Sequence, residues 1–198
     1  MKTLTRTICL TLTLLLGSVG TSWGADFDKG LAAAQSGDFA TALREFRPLA
    51  QQGYAEAQYQ LGVMYYNRKG GPLYKTVLKW YTLAAEQGYA RAQNNLGVMY
   101  YNGEGVSQDY KIALKWYTLA AEQGHAKAQS TLGVMYYNGE GVSQDNVYAH
   151  MWLNIAASSG HKSASKNRDI IAKRMTPSQL EKAQDLVTEC VRKNYKGC

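Results

Sequence analysis

The longest apolar run in this 198-residue chain, Ile8 to Leu16, is broken by Thr11 and Thr13. It reaches about half of the roughly 18 residues that a membrane-spanning helix needs. An integral span is therefore not expected. Lys2 and Arg6 precede the run, and Ser22-Trp23-Gly24 puts small residues at the third and first positions before a cut at Ala25. Those three regions in order read as a secretory signal peptide over residues 1–24, so the expected location is periplasmic or secreted. Cys9 has no small residue directly before it, which argues against lipid attachment. Charge of one sign is also lacking where it would matter. The net charge of +7 falls to +5 without the leader; residues 25–160 carry 11 Lys+Arg against 11 Asp+Glu, and the excess sits in 161–198, with 9 against 4. A neutral body argues against nucleic acid, which needs a continuous basic stripe to meet phosphates. Of three cysteines, only Cys190 and Cys198 remain after removal of the leader.

What the chain does have is repetition. Leu-Gly-Val-Met-Tyr-Tyr-Asn occurs at 61–67, 96–102 and 132–138, and Trp80, Trp116 and Trp152 follow at a spacing of 36. Self-similarity at such a period marks a solenoid of stacked supersecondary units. The units are 54–88, 89–124 and 125–160, preceded by an imperfect one at 25–53, where Asp38 to Leu43 aligns on Asp109 to Leu114. Pro48 is an irregularity there, since proline inside a helix removes a hydrogen bond. Within a unit, Ala92, Leu96 and Tyr100 lie on one stripe of a first helix. Gly103 and Gly105 break it, Asp109 caps a second helix, and Ala113, Trp116, Ala120 and Ala121 are expected to face inward. The prediction is an all-α, two-layer α/α solenoid.

The order Ala-x-Ala, Leu-Gly, Tyr, Gly-x-Gly-Val, Asp, Ala, Trp, Ala-Ala, Gly at this period closely resembles the Sel-one-like repeat (SLR), a relative of the tetratricopeptide repeat. The match covers 54–160, and 25–53 more loosely; it departs only in the short turn at 68–73, which lacks the Gly-Val and the Asp. The resemblance implies a superhelix that binds a protein or peptide partner as an adaptor or regulator; no catalytic set or cofactor site converges in the sequence, so none is expected.

After Gly160 the repeat dissolves. Residues 161–175 start like another first helix, and Thr176-Pro177-Ser178-Gln179 has the form of a capping box opening a last helix, so 161–198 is expected to cap the array. An uninterrupted helix would hold Cys190 and Cys198 about 12 Å apart, beyond the roughly 7 Å limit for a disulfide. A bond between them therefore needs the helix to end first, at Asn194 or Gly197.

Chemistry is sparse. Gly103-Glu104-Gly105 and Gly139-Glu140-Gly141 lack a preceding strand and a third glycine, so turn geometry accounts for them rather than phosphate binding. His125 and His161 share a repeat position about 8 to 10 Å apart and have no third ligand in register, so no metal site is expected. Ser163 and Lys166 fit Ser-x-x-Lys, the nucleophile pattern of β-lactam-interacting enzymes, but its companion motifs are missing. An envelope hydrolase is the alternative that this pair leaves open. Another is binding of an anionic envelope surface through the basic C-terminal helix. The leading binding candidate is the row Tyr66, Asn67, Tyr101, Asn102, Tyr137 and Asn138, expected on a concave face, where tyrosine offers area and a polar tip.

Overall fold

The computed structural model describes residues 24–68 and 71–198, so nearly all of the expected signal peptide lies outside the described residues. Ten helices follow one another: α1 (Phe27–Ser36), α2 (Phe39–Gln51), α3 (Ala55–Tyr66), α4 (Tyr74–Glu86), α5 (Ala90–Asn102), α6 (Tyr110–Ala121), α7 (Ala126–Asn138), α8 (Asn146–Ser158), α9 (Lys162–Ala172) and α10 (Pro177–Arg192). Among the described residues there is no strand, and no helix is long and apolar enough to cross a membrane. Helices α1 to α8 pair as four hairpins, and each hairpin packs on the next. Asp38, Asp109 and Asp145 accept backbone N–H groups at the starts of α2, α6 and α8. Where the short turn lacks that aspartate, Leu73 opens α4 with no side-chain cap. Pro48 lies three residues from the end of α2, which runs on to Gln51.

Each hairpin closes on a glycine. The glycine of the repeated Leu-Gly pair sits against a large side chain of its own second helix: Gly62 on Tyr81, Gly97 on Tyr117 and Gly133 on Leu153, with Gly30 on Phe46 in the imperfect unit. A methyl group on Gly97 would stand 2.9 Å from the Tyr117 ring. These contacts correct one member of the inward stripe expected of the second helix: Ala113, Ala120 and Ala121 are buried, but Tyr117 rather than Trp116 is the large side chain that faces inward with them. Tyr117 is 3% exposed, whereas Trp116 is only partly buried. The two side chains are about 100° apart on the helix. Trp80 and Trp116 point back instead, onto the apolar clusters of the preceding units around Phe46 and Tyr81. In the first unit Glu45 occupies the tryptophan position, and its carboxylate takes the Asp26 N–H at 3.2 Å and the Lys29 ammonium at 3.1 Å.

A second set of contacts stitches unit to unit. Buried Gln58, Gln93 and Gln129 donate to the Ala50, Ala85 and Ala121 carbonyls, each at 3.1 Å. Those carbonyls end the second helices of the units before, where backbone acceptors lack intrahelical partners. Gln87 and Gln123 in turn donate to the Gln58 and Gln93 side chains at 2.7 Å. In the last full unit the corresponding residue is Ser159, and the buried Gln129 Oε1 has no partner among the described residues.

The C-terminal region both caps the array and doubles back. α9 packs on α8 and α7 as a fifth first helix, while α10 lies against α8 rather than forming a hairpin with α9. α8 is consequently buried nearly all round, through Val147, Ala149, His150, Met151, Trp152, Leu153, Ile155 and Ala156. The Thr176 capping box forms as expected. Cys190 and Cys198 are joined, with Cα atoms 5.4 Å apart. The helix ends at Arg192, and Asn194, Tyr195 and Gly197 take left-handed backbone to turn the chain. The closed loop reaches back one unit, with Gly197 N–H donating to Glu122 at 2.9 Å and the Tyr195 ring lying beside Gly124.

Candidate functional site

Tyr66, Tyr101 and Tyr137 stand in the last turns of α3, α5 and α7, so their side chains meet whatever the next unit presents there. What it presents is a turn glutamate. The Tyr101 hydroxyl donates to Glu140 Oε2 at 2.9 Å; Glu104 takes the equivalent place beside Tyr66, where burial and then the carboxylate charge push the phenol up, but its buried Oε2 has no hydrogen-bond partner among the described residues. The glutamates are held in turn by asparagines of their own units: Asn102 donates to Glu104 at 2.9 Å, and Asn138 to Glu140 at 3.2 Å. Burial, together with the Glu140 charge, pushes the Tyr101 phenol up to about 12. The Tyr137 hydroxyl meets the Arg174 guanidinium just beyond α9. Ring contacts complete each joint, Tyr66 with Tyr74 at 6.2 Å and Tyr101 with Tyr110 at 5.1 Å between centroids.

The turn itself has to approach closely for this. Gly141 carries a φ of 73°, and a side chain there would run into the Tyr110 carbonyl. Tyr66, Tyr101 and Tyr137 are thus half-buried, the last two with their hydroxyls engaged inside the array, while Asn67, Asn102 and Asn138 are exposed. The spacing of the row was legible in the sequence. The glutamate that receives the Tyr101 hydroxyl lies 39 residues further on, and the shared repeat period gave no reason to pair the two.

The remaining candidates are placed as follows. Ser163 and Lys166 are exposed on the first turns of α9, and Ser163 Oγ lies 3.2 Å from His161 Nδ1, a neighbour the sequence reading did not pair with it. His161 and His125 are the residues just ahead of α9 and α7, and His125 Nδ1 accepts the Ala128 N–H at 3.3 Å, a capping role. No group of three or more His, Cys, Asp or Glu side chains gathers around a common point among the described residues. Of the C-terminal cations, Arg168 binds Asp169 and Asn154, Arg174 binds Tyr137, and Lys193 binds Glu189 at 2.6 Å.

Helical hairpins with inter-unit wedges and a stitched glutamine ladder define a two-layer solenoid of the tetratricopeptide-like class. The sequence pattern of the Sel1 repeat matches residues 55–89, 90–125 and 126–161, and the chain belongs to that family. Among solved structures it is similar to c5321, described as a protective antigen present in uropathogenic Escherichia coli strains and displaying an SLR fold. There the identity is 35% and the TM-score 0.74, over 79% of this chain and 34% of that one. It is also similar to a Sel1 repeat protein from Oxalobacter formigenes, at 28% identity and a TM-score of 0.66, over 81% of this chain and 68% of that one. The chain therefore spans about a third of the length of the E. coli protein. No curated protein matches it. Sel1 repeat proteins typically mediate protein–protein interaction and are generally non-enzymatic.

Proposed function

We propose that this protein is an exported, non-enzymatic adaptor or regulator that engages a protein or peptide partner in the cell envelope. One observation carries the reading: the buried glutamines that the repeats share are consumed in holding unit to unit. The Tyr101–Glu140 joint and the glutamine ladder make a rigid frame. A frame of this kind can be re-surfaced without disturbing its core, which is what a binding module needs. Export is supported by the basic, apolar and small-residue order of residues 1–24 and by the pair of cysteines joined in the mature region, a bond that persists in oxidising compartments.

The test is fractionation with an affinity tag at the C-terminus. The expected result is an envelope protein whose first residue by mass spectrometry is Ala25, with a partner recovered by photocrosslinking from the array. A cytoplasmic chain that keeps residues 1–24 would overturn the export reading. Recovery of activity on a β-lactam that disappears in Ser163→Ala would instead support the hydrolase.

A further inference from the structure

A groove of about 500 Å³ opens between α2 and α3, lined by Phe39, Leu43, Arg47, Met64, Tyr65, Asn67 and Arg68. Its floor is built from residue types that recur at the next two contacts between units, yet here they are not covered. The equivalents of Met64, Met99 and Met135, are 1% and 0% exposed, whereas Met64 is only partly buried. The equivalents of Phe39, Tyr74 and Tyr110, pack on Tyr66 and Tyr101 of their own first helices and carry Gly105 and Gly141 of the next turn. Phe39 has no such tyrosine, because only Gly37 and Asp38 separate α1 from α2, and it is 50% exposed.

The groove departs from the repeat in charge as well. Arg47 replaces Thr82 and Thr118, and Arg68 stands where Gly103 and Gly139 end the other first helices. No acid lines the groove, and neither guanidinium pairs with a carboxylate among the described residues. The hollow continues along α2 past Leu43 and Arg47 to Arg44 and Pro48.

We infer that this groove is a docking site for an acidic, apolar peptide segment of a partner, with an aliphatic or aromatic side chain against Phe39, Leu43 and Met64 and carboxylates on Arg47 and Arg68. The inference rests on the interaction reading above and names where that interaction occurs. Arginine suits the role because its planar fork meets a carboxylate through two hydrogen bonds and also lies flat on an aromatic ring. An apolar floor between two such cations selects segments in which large apolar and acidic residues alternate, and rejects basic ones by charge.

The experiment is selection of a displayed random dodecapeptide library on the processed, disulfide-bonded protein, followed by anisotropy with the selected peptides. The expected winners carry an acidic excess around a large apolar residue. They should lose about tenfold or more in affinity to Arg47→Glu and to Met64→Lys, weaken with salt, and bind Lys166→Glu as they bind the wild type. Circular dichroism on each variant separates a lost site from a lost fold; should Met64→Lys fail to fold, Arg47→Glu and Arg68→Glu on exposed side chains carry the test. Winners without acidic excess, or insensitive to Arg47→Glu and Arg68→Glu, would overturn the groove while leaving an interaction module in place. Absence of any binding peptide would overturn both, and a concentration-dependent dimer abolished by Arg47→Glu would assign the groove to a second copy of this chain.

Discussion

Gly97→Ala is a substitution that helix propensity and tertiary packing judge oppositely. Inside α5 the replacement gains about 1 kcal/mol of intrinsic helix stability. The added methyl would stand 2.9 Å from Cδ1 and Cε1 of Tyr117 and 3.1 Å from its Cγ. That ring is 3% exposed and backed by the cluster of Ala113, Ala120 and Ala121, so it has little room to retreat. Overpacking of a well-filled core costs about 1 to 3 kcal/mol, which outweighs the propensity gain in most of its range. The expected outcome is a net loss of about 1 kcal/mol, read as a lower urea midpoint in far-ultraviolet circular dichroism. Tyr117→Ala alone should cost about 3 to 5 kcal/mol. In the double variant the methyl meets open space, so Gly97→Ala should become neutral or stabilising, a coupling of at least about 1 kcal/mol. Stabilisation by Gly97→Ala with Tyr117 intact would show that the glycine is not a packing requirement, and the account of how each hairpin closes would fail.

Three further outcomes follow from the contacts between units. Ser159→Gln should supply the donor that the buried Gln129 Oε1 lacks and raise stability by about 0.5 to 1.5 kcal/mol; an unchanged thermal midpoint would refute the ladder's contribution. Tyr101→Phe removes the bond to Glu140 and should loosen the joint between the second and third full units by about 1 kcal/mol, seen as faster amide exchange in residues 139–145, while a peptide bound in the α2–α3 groove keeps its affinity. His150 is held below its ordinary value by burial and by Arg168, so the folded state binds its proton less readily than the unfolded chain. Its contribution is fully present above the unfolded value near 6.5 and is lost as pH falls through the lower folded value. His150→Leu, which restores the residue of Leu78 and Leu114, should flatten the loss of stability as pH falls below about 6.5, and an unaltered slope there would contradict this.

How much of this was legible in the sequence depends on what each reading used. Period and glycine position gave the hairpins, their bounds and the family, because those signals are set by backbone geometry and recur in every unit. Phase was harder. Trp116 and Tyr117 are adjacent and both large, and a repeat period of 36 preserves the facing of each without saying which one is inside. The Leu-Gly pair held the answer, since a glycine in mid-helix at every repeat needs a large neighbour to justify its cost. The return of α10 onto α8 also left a trace. Lys79 and Lys115 become Met151 at the same position, an apolar residue on what is otherwise the solvent side of the second helix.

Departures from the repeat are therefore the informative residues in this chain, and most of them have a structural cause. Glu45 stands at the tryptophan position where no preceding helix is seen among the described residues for a ring to pack on, and it holds the Asp26 N–H and Lys29 instead. Met151 replaces lysine because α10 covers it, and Ser159 ends the glutamine ladder where the next first helix carries Ser165 in place of glutamine. Arg47 and Arg68 do not yield to the same treatment. Arg47 lies on α2 and Arg68 just beyond the end of α3; they replace a threonine and a glycine, gain no carboxylate among the described residues, and flank a floor whose counterparts in the next units are covered. Two cations left unpaired beside one uncovered apolar surface add nothing evident to folding. A ligand with both a carboxylate and an apolar side chain would satisfy both at once, and the frame that the tyrosine and glutamine contacts hold rigid would present it with a preformed surface.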